Sequence, residues 1–369
     1  MKVLFLIHDL GQGGAEKVLV NLVNNMDRTK FDITVMALFG GGINEQFLAK
    51  DIRLIICHKK VFRGNSHIMK LFTPKQLYRH YIKDHYDVVV SYLEGPSARI
   101  ISGCPEINTK KVCWIHIEQH TQKKASGSFR SYSEALQVYN RFDRIVCVSN
   151  TVKQDFLGLL PVNVSSQVLY NTNETKKIQQ LSSNPLPSDV INSKEINLIG
   201  VGKLLRSKGF YRVIPIIKKL RDDGIPAHFY ILGTGPMEKE LVELAKANDV
   251  SNYVTLLGYQ TNPYHYVSNC DLFVCASFAE GFSTAATEAL IVGTPVCTVE
   301  VSGMKEMLGE NNEWGIVTEN DDEALYQGIK RLLDDPALLA HYKEKALERG
   351  KTFSTENTVK AVEDMLLSL

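Results

Sequence analysis

Short apolar runs alternate with longer segments of helical spacing along almost the whole chain. In the first half, the runs KVLFLI, DVVVSY and RIVCVS are apolar at nearly every position, and segments such as AEKVLVNLVNNM separate them. Strands of this kind are typical of parallel sheets that are buried on both faces. The pattern therefore predicts a doubly wound α/β domain over residues 1–170.

A second alternation of strands and helices occupies residues 195–352, with the apolar runs INLIGVG, AHFYILG and DLFVCAS. Residues 171–194 are polar and contain two prolines in LSSNPLPSDVINSK, which predicts a linker or hinge. Residues 353–369 predict a C-terminal helix, which we expect to pack back on the first domain. The sequence thus predicts two Rossmann-like, parallel-sheet domains that face each other across a cleft, with ligands bound at the carboxyl ends of the strands.

Composition agrees with a soluble globular protein. The 369 residues are 44% hydrophobic and 22% charged, which excludes collagen-like, coiled-coil and wholly disordered chains. No apolar run approaches the ~18 residues that a spanning helix needs, and Asp9 interrupts the first run where a signal peptide would continue. We therefore expect a cytoplasmic protein. The seven cysteines include no Cys-x-x-Cys pair, so we expect reduced core thiols.

The net charge of +1 conceals an uneven distribution. Residues 1–170 hold 22 Lys and Arg against 14 Asp and Glu, a balance of +8, whereas the remainder holds 20 against 27, a balance of −7. A nucleic-acid partner would require a basic surface over a whole domain and a known binding module. The sequence favours a local anionic partner for the first half and no nucleic acid.

A glycine-rich loop, DLGQGGAEK, follows the first strand. Gly13 and Gly14 would let the backbone approach a ligand, and the helix that begins near Ala15 would offer N–H groups to a phosphate. The loop lacks the third small residue and the later acid of a dinucleotide fingerprint. From these residues alone, a phosphate site and a tight strand-to-helix turn are both open.

The second domain has a comparable loop, KLLRSKGF, after its first strand. Lys203 and Lys208 lie where a parallel strand ends, and two ammonium groups there would neutralise a pyrophosphate. A solvated basic turn is the alternative.

The most informative stretch is FAEGFSTAATEALIVGTPV, residues 278–296. Glu280 lies in the loop after strand DLFVCAS, Ser283 is the predicted N-cap, and Glu288 lies inside the following helix. The helix N-terminus would hold phosphate oxygens, and Glu288 would accept hydrogen bonds from ribose hydroxyls. Because Glu288 lies in an apolar run, an unpaired carboxylate there would be costly, which favours a ligand or a specific partner.

This run resembles the paired-glutamate signature of the retaining, nucleotide-sugar-dependent glycosyltransferases of family 4 (glycosyl transferases group 1), which have the two-domain GT-B architecture. Further matches extend over nearly the whole length: GGAE, WIH, VSN, YNTN, GKLLRSKG, GTGP and VSGMKEML. The resemblance implies transfer of a sugar from a nucleotide diphosphate, with uridine diphosphate as the expected carrier. The acceptor would be a hydroxyl of a glycan or a lipid-linked molecule, in cell-surface polysaccharide or glycoconjugate assembly.

The resemblance also assigns roles to residues of the second domain. Lys203 and Lys208 would bind the diphosphate, Glu288 the ribose, and Glu280 the hydroxyls of the transferred sugar. The remaining donor-binding positions are backbone groups at the helix N-terminus and in the GTGP run: Ser283, Thr284, Ala285 and Gly235.

In the first domain, the resemblance places Gly13 and Gly14 near the diphosphate on the opposite wall. His116, at the end of strand KKVCWIH, would face the donor sugar near the reacting carbon. A core histidine is the alternative interpretation.

The expected chemistry depends on charge stabilisation. As the glycosidic bond breaks, negative charge grows on the β-phosphate, where Lys203, Lys208 and the helix N-terminus would stabilise it. The chain contains no Asp-x-Asp, so we expect neither a metal nor another cofactor. No carboxylate nucleophile can be named, and the family favours front-face attack in which the leaving phosphate takes the acceptor proton.

Some positions depart from the family pattern. Lys203 replaces a common Arg, Ser283 a common Gly, and YNTNE the usual Asn-Gly-Val-Asp.

A nucleotide-sugar epimerase of the same architecture and a catalytically silent binding subunit are the alternative functions. A nicotinamide oxidoreductase ranks last because the fingerprint is incomplete.

A basic stretch in the first domain predicts an acceptor or membrane surface. Between residues 52 and 83 there are eight Lys or Arg residues and no Asp or Glu, with aromatic and aliphatic residues interleaved. This composition suits an anionic membrane or a lipid-linked pyrophosphate, so peripheral contact with the cytoplasmic face of a membrane is expected. Ordinary packing with solvated lysines is equally open. The predicted surface residues are Lys59, Lys60, Arg63 and Lys70.

Overall fold

The structure is a computed structural model, and it describes residues 1–62, 64–186 and 190–369. The chain divides into two compact units. Met1–Asn173 and Thr355–Leu369 form the first unit, and Glu174–Ser354 form the second. Each unit is a parallel sheet with connecting helices, which confirms the predicted fold class.

The first unit contains a seven-stranded sheet in which all neighbouring strands are parallel. Its central strands follow the predicted apolar runs and are almost wholly buried, because helices cover both faces. The order across the sheet is β3-β2-β1-β4-β5-β6-β7. The strands are β1 (Lys2–Ile7), β2 (Asp32–Phe39), β3 (Arg53–His58), β4 (Val88–Ser91), β5 (Lys110–Ile115), β6 (Arg144–Cys147) and β7 (Ser166–Val168).

Helices connect these strands. Several begin at capping residues: Thr73 caps the helix that starts at Pro74 and forms a capping box with Gln76. The helices are α1 (Gly14–Asn25), α2 (Asn65–Met69), α3 (Pro74–Tyr81), α4 (Pro96–Ile101), α5 (Gln122–Ala125), α6 (Tyr132–Tyr139) and α7 (Asn150–Leu159).

The second unit contains a six-stranded parallel sheet in the order β10-β9-β8-β11-β12-β13. Its strands are β8 (Ile196–Val201), β9 (Ala227–Leu232), β10 (Val254–Gly258), β11 (Leu272–Cys275), β12 (Val296–Val299) and β13 (Ile316–Thr318). Its helices are α8 (Thr175–Ser182), α9 (Phe210–Asp222), α10 (Glu238–Ala247), α11 (Tyr264–Ser268), α12 (Thr284–Val292), α13 (Met304–Leu308), α14 (Asp322–Asp334) and α15 (Pro336–Gly350).

The segment that we predicted to be a linker, residues 171–194, contains helix α8. Ile178 and Leu181 lie three residues apart among polar residues, and Ile178 is buried against Tyr264 and Ile291 of the second unit. The polar composition of the segment concealed this short amphipathic helix. The second unit accordingly begins at Glu174, earlier in the chain than the predicted residue 195.

The final helix, α16 (Thr355–Leu367), belongs to the first unit. Glu363 accepts a hydrogen bond from the backbone N–H of Asp27 at 2.6 Å, and the Thr355 hydroxyl donates to the carbonyl of Asn173 at 2.7 Å. The chain therefore enters the second unit at residue 174 and returns to the first at residue 355.

The sequence predicts reduced core cysteines and no membrane-spanning helix. All seven cysteines are free thiols, and five of them are buried. Among the described helices, none combines the length and the apolar character needed to cross a bilayer.

Each sheet has one position at which the strand order reverses. β1 lies between β2 and β4, and β8 lies between β9 and β11. In open parallel sheets, ligands bind beyond the carboxyl ends of the strands at such a switch point. A ligand site is therefore expected at the loops after β1 and β4 and at those after β8 and β11.

Candidate active site

Two loops of the second unit meet at its switch point. The backbone N–H of Phe278, after β11, donates to the carbonyl of Ser207, after β8, at 2.8 Å. Gly209 has a φ of +67°, and a Cβ at this position would lie 2.0 Å from the carbonyl oxygen of Ala276. A glycine is therefore required here for the two loops to approach each other.

This approach brings together two of the predicted site residues. Lys208 Nζ lies 2.6 Å from Glu280 Oε1, and the same oxygen accepts a hydrogen bond from the Ser277 hydroxyl at 2.7 Å. The Lys208 side chain is 30% exposed and that of Glu280 is 11% exposed. The pair is thus partly shielded from water yet open on one side.

The pKa of Lys208 is raised above its usual value. Burial alone disfavours the ammonium, but the adjacent Glu280 carboxylate outweighs this effect through its charge and its hydrogen bond. Lys208 therefore carries a positive charge at neutral pH although its side chain is half-buried.

Lys203 and Gly235 lie on two loops that pack against each other. The backbone N–H of Leu204, next to Lys203, donates to the carbonyl of Thr234 at 3.0 Å, and the N–H of Met237 donates to the carbonyl of Leu204 at 3.1 Å. A Cβ at Gly235 would lie 2.6 Å from the Leu204 carbonyl oxygen. Gly235 therefore positions the loop that carries the exposed Lys203 side chain.

Helix α12 begins where the sequence predicts. Ser283 is the N-cap, and its hydroxyl accepts a hydrogen bond from the Ala286 N–H at 3.4 Å. Thr284 and Ala285 form the first turn of the helix, where backbone N–H groups have no carbonyl partner within the helix. This turn provides the partial positive charge that attracts phosphate oxygens.

Glu288 lies on α12 and is only 6% exposed. Its Oε1 atom lies 3.4 Å from the hydroxyl of Tyr264, which donates a hydrogen bond to it. Tyr264 is the first residue of α11 and is itself buried. The second predicted acid is therefore partnered by a residue from a different helix.

In the first unit, the glycine-rich loop after β1 is held by Asp9. The Asp9 carboxylate accepts the backbone N–H of Gly11 at 2.7 Å and contacts His8 Nδ1 at 2.6 Å. Gly13 is the N-cap of α1, and Gly14 is its first residue. The loop thus ends in a helix N-terminus, as the sequence predicts.

His116 follows β5 in the first unit. Its backbone N–H donates to Glu94 Oε2 at 3.0 Å, and its ring packs against Tyr92 with centroids 5.0 Å apart. Burial lowers the pKa of His116 to about 4, although a hydrogen bond to the backbone of Tyr92 opposes this shift. Its Nε2 atom is buried and, among the described residues, has no hydrogen-bond partner. His116 is therefore a neutral imidazole with one unsatisfied ring nitrogen, which a ligand would satisfy.

We expect His116 to make the folded protein less stable as the pH falls from about 6.5 to about 4. The pKa of His116 is about 4 in the folded state against 6.5 for a free histidine, so the unfolded state binds more protons in this range. The contribution of His116 to the free energy of unfolding should therefore be full above pH 6.5. It should be lost as the pH falls towards 4, a decrease on the order of 1–3 kcal/mol.

Chemical denaturation between pH 7 and pH 4 would measure this effect. A His116→Gln variant should lose less stability over the range than the wild type, whereas His341→Gln, which removes an exposed imidazole, should behave as the wild type does. Equal pH dependence in the His116→Gln and wild-type proteins would contradict the assignment.

Three residues next to the predicted ones were missed. Ser277 precedes Glu280 by three positions in the same loop, and Glu94 follows strand β4 ahead of a Gly-Pro pair. Both are polar residues at the carboxyl end of a strand, which is a signal the sequence contains. Tyr264 had no such signal, because it reaches Glu288 only through the packing of α11 on α12.

The predicted surface residues lie in and after the loop that follows β3. Lys59 and Lys60 are exposed. Lys70, at the end of α2, is half-buried, and its Nζ atom donates to the carbonyl of Gly127 at 2.6 Å. Arg63 lies outside the described residues.

One group of side chains in the described part of the chain has the spacing of a metal site: Glu118, His120 and Asp155. The Asp155 carboxylate already accepts the backbone N–H of Gln119 at 2.7 Å and that of His120 at 3.1 Å. These hydrogen bonds account for its position without an ion.

Solved structures share the fold of two Rossmann-like units. The Anabaena protein HepE, solved in complex with UDP, is 19% identical, with a TM-score of 0.78 and full coverage of both chains. A glycosyltransferase from Rickettsia africae is 16% identical, with a TM-score of 0.77 over 99% of this chain and 97% of that one. The fold is therefore that of the GT-B class.

Two family models cover most of the chain. Residues 12–175 match Glycosyltransferase Family 4, and residues 186–349 match Glycosyl transferases group 1. The chain belongs to the group 1 glycosyltransferases with a family 4 first domain, which confirms the resemblance found in the sequence.

Curated relatives are also glycosyltransferases. A Campylobacter jejuni enzyme named N-acetylgalactosamine-N,N'-diacetylbacillosaminyl-diphospho-undecaprenol 4-alpha-N-acetylgalactosaminyltransferase is 28% identical over 99% of this chain and 98% of its own. The Rhizobium meliloti lipopolysaccharide core biosynthesis glycosyltransferase LpsD is 24% identical over 100% of this chain and 98% of its own.

Proposed function

We propose that the protein is a retaining glycosyltransferase that moves a sugar from a uridine diphosphate sugar to a hydroxyl of a lipid-linked or glycan acceptor. The observation that carries this proposal is the Lys208–Glu280 ion pair at the switch point of the second unit, in the loop that leads into α12. It combines a half-buried positive charge for a phosphate with a carboxylate for sugar hydroxyls.

The diphosphate is bound by cations and backbone N–H groups. Lys208 remains protonated beside Glu280, and the exposed Lys203 adds a second positive charge. Ser283, Thr284 and Ala285 contribute the N-terminus of α12, which favours an anion. The charge that develops on the β-phosphate as the glycosidic bond breaks is thus stabilised by groups that are already in place.

Two carboxylates orient the rest of the donor. Glu280 accepts hydrogen bonds from the transferred sugar, and Lys208 and Ser277 fix its position. Glu288 accepts the ribose hydroxyls and is oriented by Tyr264. Because Lys208 and Ser277 both hydrogen-bond to one oxygen of Glu280, the carboxylate is held in place to orient the sugar. Front-face attack needs no carboxylate nucleophile.

The first unit supplies the other donor contacts. The unsatisfied Nε2 atom of His116 accepts a hydrogen bond from a hydroxyl of the donor sugar, and this bond satisfies the buried nitrogen. Gly13 and Gly14 allow the N-terminus of α1 to approach the diphosphate. Uridine diphosphate as the carrier is supported by HepE, which was solved with UDP and with UDP-glucose.

A lipid-linked acceptor is supported by the names of relatives. The Campylobacter jejuni enzyme described above acts on a diphospho-undecaprenol glycan, and a second enzyme of that organism, 22% identical, also carries PP-undecaprenol in its name. Assembly of a cell-surface polysaccharide or glycoconjugate on such a lipid is the process we propose.

We expect sugar transfer to persist in the presence of EDTA. Lys203, Lys208 and the N-terminus of α12 supply the positive charge that a divalent cation would otherwise provide. Nucleotide release would be measured with and without chelator. Complete loss of activity that magnesium or manganese restores would show that the lysines are not the main counter-charges.

A panel of nucleotide sugars tests the proposed donor. Uridine diphosphate sugars should raise the unfolding temperature more than guanosine or adenosine diphosphate sugars at the same concentration. Stabilisation only by a different nucleotide would overturn the assignment of the carrier, and no stabilisation by any nucleotide sugar would overturn the proposed function.

A further inference from the structure

An apolar loop projects from the first unit at the end of α2. It comprises residues 68–72, the last two residues of α2 and the turn that follows, and we call it the apolar loop. Its Leu71 side chain is 76% exposed, and Ile68 and Phe72 are also exposed. Large apolar side chains that lie together in water are uncommon on the surface of a monomer and mark sites of interaction.

The backbone of the apolar loop is fixed by two arginines. Arg99, which is 1% exposed, donates to the carbonyls of Met69 and Phe72, both at 2.6 Å, and pairs with Glu134 at 2.8 Å. Arg130 donates to the carbonyls of Lys70 at 2.5 Å and Leu71 at 3.0 Å. All four carbonyls from residue 69 to residue 72 therefore accept a guanidinium N–H.

These hydrogen bonds hold the loop in one conformation. Without them, the loop could turn Leu71 and Phe72 towards the core. The Arg99–Glu134 ion pair anchors the loop, and both side chains are presented to solvent. A fixed loop also loses less conformational entropy when it binds a partner.

The segments that flank the apolar loop and connect to it are rich in basic residues. Residues 59–83 and 119–133 contain no Asp or Glu. Residues 123–130 are joined to the apolar loop by the hydrogen bonds of Lys70 with Gly127 and of Arg130 with Lys70. Exposed basic side chains lie in this segment and on both sides of the loop in sequence: Lys59, Lys60, Lys75, Lys123, Lys124 and Arg130. Glu134, which follows this segment, is neutralised by Arg99.

We propose that the apolar loop inserts into the surface of an anionic lipid bilayer while the flanking basic residues bind the headgroups. The inference rests on the proposed function in one respect, since a lipid-linked acceptor would be reached at such a surface. A few projecting apolar side chains form a smaller surface than a standard protein interface, which buries about 800 Å² per partner. Apolar tips flanked by Lys and Arg match the interface of an anionic membrane.

Co-sedimentation with lipid vesicles tests this proposal. The wild type should bind vesicles that contain phosphatidylglycerol, should bind weakly to pure phosphatidylcholine, and should be released by salt. A Leu71→Ser, Phe72→Ser double variant should bind anionic vesicles at least about tenfold more weakly, because two large apolar side chains no longer enter the bilayer. Reversing the charge of Lys59 and Lys60 should also weaken binding.

Ile107→Ser provides the control. Ile107 is 93% exposed but follows Glu106, and the nearby Lys110 and Lys111 pair with Asp143, so its replacement should leave vesicle binding unchanged. Donor binding by the double variant, measured by thermal shift with a uridine diphosphate sugar, should equal that of the wild type and would show that the fold is intact.

Three outcomes would contradict the membrane proposal, and a fourth would contradict only the proposed function. If the wild type ignores anionic vesicles at low salt, or if the double variant binds them as the wild type does, the apolar loop is not a membrane anchor. Self-association that the double variant abolishes, without vesicle binding, would assign the loop to a protein interface. A wild type that binds vesicles but no nucleotide sugar would instead overturn the proposed function and leave this inference standing.

Discussion

A Lys208→Ala variant should bind uridine diphosphate sugars about ten- to a hundredfold more weakly than the wild type. A hydrogen bond between charged groups contributes roughly 1.5–3 kcal/mol, and this variant would lose the one that we propose Lys208 makes to the diphosphate. It also leaves Glu280 without its cation at 2.6 Å, so that an unpaired carboxylate would face the incoming phosphates. Glu288→Ala should weaken donor binding by a similar factor through loss of the ribose contact.

Isothermal titration with a uridine diphosphate sugar would measure both losses. Arg206→Ala is the control, because Arg206 lies in the same short 3-10 turn as Lys208 but pairs with Glu240 at 3.2 Å on the exposed side. It should bind the donor as the wild type does. Unchanged donor affinity in both the Lys208 and the Glu288 variants would contradict the site assignment.

Gly209→Ala should destabilise the protein by about 2–4 kcal/mol and weaken donor binding with it. An alanine at φ +67° costs roughly 1–2 kcal/mol on its own. Its Cβ would also lie 2.0 Å from the Ala276 carbonyl, so the loops after β8 and β11 would have to separate. Separation would move Lys208 away from Glu280.

Gly224→Ala separates the two costs. Gly224 has a φ of +84°, and nothing lies within 4 Å of the position its Cβ would take. Its replacement should therefore cost only the backbone strain and leave donor affinity unchanged. Chemical denaturation would measure the free energy of unfolding of both variants. Equal losses would show that the close approach of Gly209 to the Ala276 carbonyl is not needed to hold the two loops together.

The fold was predictable because local patterns determine it. Near-continuous Val, Ile and Leu runs are stable as strands only when both faces are covered, and this requirement leads to parallel α/β domains. The N-cap at Ser283 was predictable for the same reason, since a hydroxyl before an apolar helix satisfies a free backbone N–H. Helix α8 was not predicted, because a short helix in a polar segment gains its stability from tertiary packing of Ile178.

The sequence identified candidate site residues but not the contacts between them. Lys208 and Glu280 lie 72 positions apart, and only the sheet order places their loops side by side. The hydrogen bond from Tyr264 to Glu288 and the arginines that hold the apolar loop depend on helix packing that leaves no periodic signal in the sequence. The composition of the basic stretch pointed to a surface, yet the direction of Leu71 and Phe72 required the structure.

The most direct test of the proposed glycosyl transfer is mass spectrometry and proton NMR of the products formed from a uridine diphosphate sugar and a polyprenol-diphosphate-linked glycan. We predict that the wild type releases UDP and adds one sugar to the acceptor with retained configuration, and that Lys208→Ala and Glu288→Ala do so far more slowly. Recovery of an epimerised nucleotide sugar, or binding without consumption of any donor in the panel, would contradict the account.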